Sequence, residues 1–408
     1  MSQTPPRDPA EDIFEDLLSW AHGRPRAPHR LFAYLTERCN LRCPSCGLAT
    51  GNVVPADDEM GDATVLSLAD QAIELGVREC YLTGGEVLVR KPVVLDFMER
   101  IAAAGIRGVL STNGTLLDRG ELERLVRSGW HLYIVSLDGP TPPRNDPLRS
   151  RPGVFDQATQ MIRSLVEARR RSGASNPEIH LHTVVSRANA ADLTAMVQLC
   201  SDLGIDYFAA EPVVRQSEAG EALLLDDEAR RILAAEVPRA LARAADLGLS
   251  TNLGFLADPQ IVAADSDTAG INAADADGLA GFPSTHCFVP FHNVVVHPDG
   301  SVSGCWQGRD ANSPRLPDTT LAQAWRSLAP ADLRAAMTAG QPPAFCGRCC
   351  LVNARDNRRF RALLLAELGD PARAEAALDV ALAAEPGLDL LHRARRRLDA
   401  RRGGAGRA

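Results

Sequence analysis

The sequence lacks any apolar run long enough to cross a bilayer, which excludes an ordinary helical membrane span. Residues 1–8 are polar and show none of the apolar core of a secretory signal, so a cytoplasmic location is expected. Positive charge is also short. A formal net charge of -8 argues against a general nucleic-acid binder, and the arginine-rich stretch from Arg393 onward reads as a solvated helix end. Neither nucleic acid nor membrane is therefore an expected partner. Core material is plentiful: 408 residues, 45% of them hydrophobic, suffice for two or three domains, one of which has room to be a larger α/β barrel.

Ten cysteines without a secretion signal point to metal or redox work rather than to disulfides. Cys80 and Cys200 stand alone in apolar surroundings and read as packed small hydrophobes. The others cluster. Cys39, Cys43 and Cys46 share one short loop in the pattern Cys-x3-Cys-x2-Cys, with no other His or Cys nearby to complete a zinc site. Three thiolates so spaced hold three irons of a cubane cluster and leave the fourth iron open to an external ligand.

From residue 31 on, apolar runs of strand length alternate with stretches of helical period. Strands are expected at 31–35, 77–82, 106–110, 132–135, 179–185 and 205–209, each followed by a helix. The first runs directly into the triple-cysteine loop. The others end in Gly84-Gly85-Glu86, Asn113, Ser136 and Glu211, among others. Strand C-terminal ends line the active face of parallel α/β folds, so these residues are expected at one mouth. A helix is expected over 227–247, a short strand near 249–253, and an aperiodic loop or lid over 258–283.

The triple-cysteine loop placed after the first strand of a repeated β/α pattern resembles the radical S-adenosylmethionine (radical SAM) superfamily. The resemblance covers most of 31–255. It implies that Cys39, Cys43 and Cys46 hold a 4Fe-4S cluster whose open iron binds SAM. Gly84, Gly85 and Glu86 match the family's glycine-rich, acid-ended motif, with Val87 where a proline is usual. Ser136 matches a position that commonly contacts the ribose, and Asn113 is near enough to reach the same region; both are also ordinary turn residues. Arg149 matches an arginine that pairs with the SAM carboxylate, a task suited to a planar fork. Ser45 and Asn145 stand where relatives usually carry an aromatic residue and a histidine.

A second set, Cys287, Cys305, Cys346, Cys349 and Cys350, follows a segment that reads as a β-hairpin turning at Pro298-Asp299-Gly300. The set resembles the auxiliary-cluster domains called SPASM and twitch, the shorter twitch type above all, because no cysteine follows Cys350. The resemblance implies one auxiliary 4Fe-4S cluster on Cys287, Cys305, Cys346 and Cys349, with Cys350 spare; structural zinc is the main rival for four thiolates. His286, His292 and His297 flank this region and read as packing residues.

The expected fold class is α/β: an N-terminal helix and linker (1–30), a partial (β/α)6 TIM-like barrel as radical SAM core (31–255), and a flexible loop (256–283). A small α+β cluster-binding domain of hairpin plus helix (284–355) and a helical C-terminal tail (356–408) complete it, the tail reading as a cap. The resemblance implies an oxidoreductase that cleaves SAM reductively to a 5'-deoxyadenosyl radical and takes hydrogen from a peptide or protein side chain, as in ribosomal peptide maturation. A flavodoxin or ferredoxin would serve as reductant, and the auxiliary cluster would aid oxidation or substrate binding. Dehydrogenation of a small carbinol or sugar-like metabolite is the alternative, and a non-catalytic electron carrier or scaffold is the reading from another class. Asp138, Tyr207 and Glu211 are candidate acid or base groups.

Overall fold

The computed structural model describes residues 9–49, 53–215, 218–258, 262, 268–348, 351–369, 371–385 and 387–405. Six parallel strands form its centre: β1 (Arg30–Tyr34), β2 (Glu79–Thr83), β3 (Arg107–Thr112), β4 (Leu132–Ser136), β5 (Glu178–Val185) and β6 (Tyr207–Pro212). They lie in sequence order, with the two-residue β7 (Ser250–Thr251) beyond β6. Strand β5 shows why these segments are strands. Ile179, Leu181, Thr183 and Val185 are buried on one face, while Glu178, His180, His182 and Val184 are half-buried on the other. Such a period of two sends the apolar set under the helices and the polar set into the barrel lumen.

The helices cover the outside. They are α1 (Pro9–Ala21), α2 (Asp62–Leu75), α3 (Lys91–Ala103), α4 (Arg119–Ser128), α5 (Val154–Ser172), α6 (Leu193–Leu203) and α7 (Asp227–Leu247). Helix α4 starts in a capping box in which Asp118 accepts from the Glu121 amide and Glu121 from the Asp118 amide, both at 2.9 Å, closing two otherwise orphaned donors. The strands and α2 to α7 share one apolar core around Phe97, Trp130, Tyr133 and Phe208. The six expected units are therefore present, with strand ends shifted by at most three residues.

Three regions depart from the sequence reading. The hairpin β8 (Asn293–Val296) and β9 (Val302–Ser303) has no sheet of its own: β8 pairs with β1 in parallel, Phe32 opposite Val295, and extends the barrel sheet. The stretch expected as an aperiodic loop contains helix α8 (Thr268–Ala276). Ile271 packs against the apolar core, but the helix is otherwise tied by polar bonds that carry no apolar period: Asn272 accepts from Asn357 at 3.1 Å, and Asp275 accepts from Arg358 at 2.7 Å. Helices α9 (Leu321–Arg326) and α10 (Leu328–Thr338) follow the hairpin.

The tail is three helices, α11 (Leu351–Leu368), α12 (Pro371–Ala384) and α13 (Asp389–Ala405). Helix α11 does more than cap. It reaches β6 at one edge of the barrel and the Cys287 loop at the other: its Arg355 guanidinium lies 5.6 Å from the Phe255 ring, and Asn357 accepts from the Phe288 amide at 2.9 Å. A second apolar core joins Phe14 and Leu17 of α1 to Phe288, Phe291, Phe360 and Leu364. The arginines of α13 are engaged, Arg393 with Asp389, Arg395 with Glu375 and Arg401 with Glu367, as expected for a helix end laced by ion pairs. Among the described residues no helix is long and apolar enough to cross a membrane.

Candidate functional site

The triple-cysteine loop leaves the end of β1 and is held by backbone. The Gly85 amide donates to Thr36 O at 2.9 Å and the Glu86 amide to Arg38 O at 2.8 Å, so the motif after β2 continues the pairing of β1 with β2 into the loop. A Cβ at Gly85 would collide with the Arg38 and Glu37 carbonyls, and Gly84 sits at φ 142°, where L side chains are strained. The glycines thus permit a close approach of backbone to backbone at the cysteine loop. Arg90 adds a latch, donating to Leu35 O at 3.0 Å and Met60 O at 2.8 Å.

Within the loop the Cys46 amide donates to Cys43 O at 3.0 Å, and the Leu41 amide reaches Cys39 Sγ at 3.3 Å. None of the eight described cysteines takes part in a disulfide. Burial pushes the Cys39 and Cys43 thiols up, against the Leu41 amide on the first and the Arg149 charge on the second. Three half-buried thiols on one turn, next to a cation, match in donor type and number what a site-open cubane cluster requires.

Around the loop stand the other expected residues. Glu86 is 1% exposed, and its carboxylate accepts from Thr112 Oγ1 at 2.9 Å, the Asn113 amide at 2.7 Å and the Leu88 amide at 3.3 Å. It straps the end of β2 to the end of β3, and burial pushes its carboxyl up to about 7 against those donors. Asn113 Nδ2 donates to Asn40 Oδ1 at 2.8 Å and lies 3.9 Å from Cys39 Sγ. Arg149, 9% exposed, has Nε 2.9 Å from Asp138 Oδ2 and faces the Cys43 thiol, yet its Nε and Nη2 are buried without an aligned acceptor among the described residues. An orphaned guanidinium edge beside the cysteine loop fits an incoming carboxylate. Asn145 accepts from the Asp138 amide at 2.9 Å and so fixes the turn that carries this pair. Ser136, half-buried at the end of β4, pairs in register with His182.

A cavity of about 580 Å3 opens beside the loop, lined by Tyr34, Cys46, Gly84, Asn293, His297 and Trp306 among others. Its far wall is β8 and the segment after Cys305. The Asn293 Oδ1 atom is buried there with no partner among the described residues. A second cavity of about 670 Å3, lined by Trp20, Gln71, Trp325 and Arg334, lies on the outer wall and touches none of the cysteines.

Cys287, Cys305 and Cys346 line one further small cavity together with His286, Phe345 and Met337. Cys349 and Cys350 lie outside the described residues. Among the described residues no three His, Cys, Asp or Glu side chains converge closely enough to hold a single metal ion.

Several site residues escaped the sequence reading. His182 Nε2 lies 3.4 Å from Glu211 Oε1 across β5 and β6; burial disfavours the imidazolium, but the carboxylate prevails and holds its pKa above the usual histidine value. The signal was present in the alternation of β5, which sends His182 into the lumen. Asn293, His297 and Arg90 gave no such signal, because only the pairing of β8 with β1 and the fold of the β2–α3 turn bring them to the site. Of the candidate acid and base groups, Asp138 is committed to Arg149 and Glu211 to His182, while Tyr207 packs beside His180 with ring centroids 4.9 Å apart.

Residues 33–200 match the family model described as Radical SAM superfamily. The chain is 32% identical over 205 residues to the AdoMet-dependent heme synthase of Methanosarcina barkeri, covering 50% of this chain and 56% of that protein. It thus spans about half the length of such curated relatives. The match to the PqqA peptide cyclase of Ruegeria pomeroyi is 28% identical over 351 residues and takes in 85% of this chain and 86% of that protein. In fold, the chain resembles Streptococcus suis SuiB bound to S-adenosylmethionine, with a TM-score of 0.57 at 17% identity over 76% of this chain and 68% of that one. It also resembles anSMEcpe with bound AdoMet, with a TM-score of 0.55 at 14% identity over 91% of this chain and 98% of that one. Residues 33–200 thus carry the radical SAM superfamily domain, a family that implies a 4Fe-4S cluster and SAM, and the chain continues past the matched domain in a C-terminal extension.

Proposed function

We propose that the chain is an oxidoreductase acting on a peptide or protein side chain, with an auxiliary 4Fe-4S cluster on Cys287, Cys305, Cys346 and Cys349. The observation that carries the reading is the alignment to a peptide cyclase across 85% of the chain, which takes in the extension as well as the barrel. The solved complex of SuiB with its precursor peptide SuiA, of related fold, supports it. The cavity between Cys46 and the β8 wall adds a place for a substrate, and it shares Gln307 and Asn353 with the small cavity lined by Cys287, Cys305 and Cys346.

In this reading Cys39, Cys43 and Cys46 hold the first cluster, and Arg149, Ser136, Asn113 and the Gly84–Glu86 backbone hold SAM. Bound there, the two cofactors supply one-electron reduction and hydrogen-atom abstraction. The protein's own part is positional and electrostatic. Glu86 fixes the ends of β2 and β3 against each other, and Asp138 holds Arg149 against the loop. The β8 strand extends the wall beside β1 and α11 lies against β6, where together they would limit the access of bulk water. His182 and Glu211 form a hydrogen-bonding pair able to accept a proton from a substrate that has lost an electron. A flavodoxin- or ferredoxin-type protein would supply the electron.

The test is release of 5'-deoxyadenosine by the reconstituted, reduced chain, offered candidate precursor peptides and small carbinols in parallel. Peptide-dependent release is expected. Release stimulated only by a small alcohol would overturn the peptide reading, and SAM binding without cleavage would leave a carrier or scaffold.

A further inference from the structure

The surroundings of Cys287 contain two buried side-chain nitrogens that have no partner among the described residues. The first is His286 Nε2: the residue is 4% exposed, lines the cavity shared by Cys287, Cys305 and Cys346, and this ring nitrogen has no partner among the described residues. The second is Arg361 on α11, which is 2% exposed. Its Nε donates to Pro283 O at 3.1 Å and its Nη2 to Thr285 O at 2.7 Å, whereas Nη1 is buried with no partner among the described residues. The two carbonyls lie three residues and one residue before His286, so the guanidinium is clamped onto the segment that leads into Cys287.

Charge makes the arrangement informative. A buried guanidinium costs several kcal/mol unless an anion compensates it. No described carboxylate forms an ion pair with Arg361; its nearest electrostatic partners are Asp275, already bonded to Arg358 at 2.7 Å, and the Cys287 thiol. The missing anion therefore belongs on the cysteine side. Four thiolates around a 4Fe-4S core give a centre of net negative charge, and donors and cations placed beside such a centre favour its reduced, more negative form.

We infer that Arg361 is the counter-ion of the auxiliary cluster and His286 an N–H donor to its sulfur, so that the pair holds the centre at a higher reduction potential than its thiolates alone would set. The inference rests on the auxiliary-cluster reading proposed above. Both residues act through the cluster and are positioning residues. The couple concerned takes up one electron from the reductant and needs no further reactant.

The experiment uses the full chain with Cys39, Cys43 and Cys46 replaced by alanine, which leaves only the auxiliary signal. After anaerobic reconstitution, iron is counted and the cluster is titrated with dithionite under electron paramagnetic resonance. About four irons per chain are expected in this background. His286→Phe and Arg361→Gln are each expected to keep that count and to lower the midpoint by at least 59 mV, a tenfold change in the reduced-to-oxidised ratio of a one-electron couple. His286→Gln and Arg361→Lys, which keep the N–H and the charge, are expected to recover most of the loss. Absence of iron in the parent background would remove the auxiliary cluster itself. Four irons with an unmoved midpoint in His286→Phe and Arg361→Gln would overturn the inference while leaving the cluster in place. Should Arg361→Gln lose iron through misfolding, the midpoint of His286→Phe decides.

Discussion

The Glu86 carboxylate accepts a hydrogen bond from the Asn113 amide at 2.7 Å and another from Thr112 Oγ1 at 2.9 Å, so two strand ends that sequence reading placed separately around SAM are bonded to each other. Glu86→Ala would strand these donors and the Leu88 amide in a buried site. At about 1–3 kcal/mol for each buried donor left unsatisfied, a loss of at least about 3 kcal/mol is expected from urea unfolding. Iron retained by the first cluster should fall with it, since the strap aligns the wall beside Cys39.

Gly85→Ala tests the closeness of the two backbones. The added Cβ meets the Arg38 and Glu37 carbonyls, so the loop carrying Cys39, Cys43 and Cys46 has to shift. Overpacking against backbone costs about 1–3 kcal/mol. The variant is expected to bind less than half the iron of the parent at the first site, as read by iron count in a Cys287→Ala background. Gly61→Ala, with nothing within 4 Å of the added atom, should leave iron binding unchanged.

Arg149 allows charge and shape to be separated. Arg149→Lys keeps a cation near Asp138 but loses the fork whose Nη2 stands without an acceptor. SAM affinity measured by equilibrium binding to the reconstituted chain is expected to fall by about tenfold, about 1.4 kcal/mol. Arg149→Ala leaves the buried Asp138 carboxylate uncompensated and should cost about 3–5 kcal/mol of stability. Unchanged SAM affinity in both variants would take Arg149 out of the cofactor site.

How far the site was legible follows from which signals are local. The triple cysteine, the Gly84-Gly85-Glu86 motif and the alternation of β5 are written in adjacent residues, and the barrel with its mouth followed from them. The pairing of β8 with β1 joins residues far apart in sequence, and nothing in the Val-rich run of β8 says which strand it will meet. Helix α8 was read as a loop because Asn272 and Asp275 fasten it through single polar bonds rather than through an apolar stripe. His286, Asn357 and Arg361 likewise become site residues only once α11 lies against the Cys287 loop.

The two buried histidines beside the β8 wall weaken the metal-free chain toward acid, in the opposite sense to Glu86, whose carboxyl is held up at about 7. Burial is the first cause in both cases and depresses the imidazolium form, bringing His292 down to about 3 and His297 to about 4. The unfolded chain takes up these protons near the ordinary histidine value of about 6.5, while the folded chain refuses them until much lower pH. The histidines' contribution to stability is therefore fully present above about pH 6.5 and is lost as pH falls toward about 4, at about 1.4 kcal/mol per pH unit for each histidine. Compared by urea unfolding at pH 7.5 and pH 5, His292→Phe, which keeps an apolar ring against Phe360, should lose less stability than the parent by about 1.4 kcal/mol per pH unit below about pH 6.5. A slope identical in His292→Phe and the parent would show that other groups govern the acid limb.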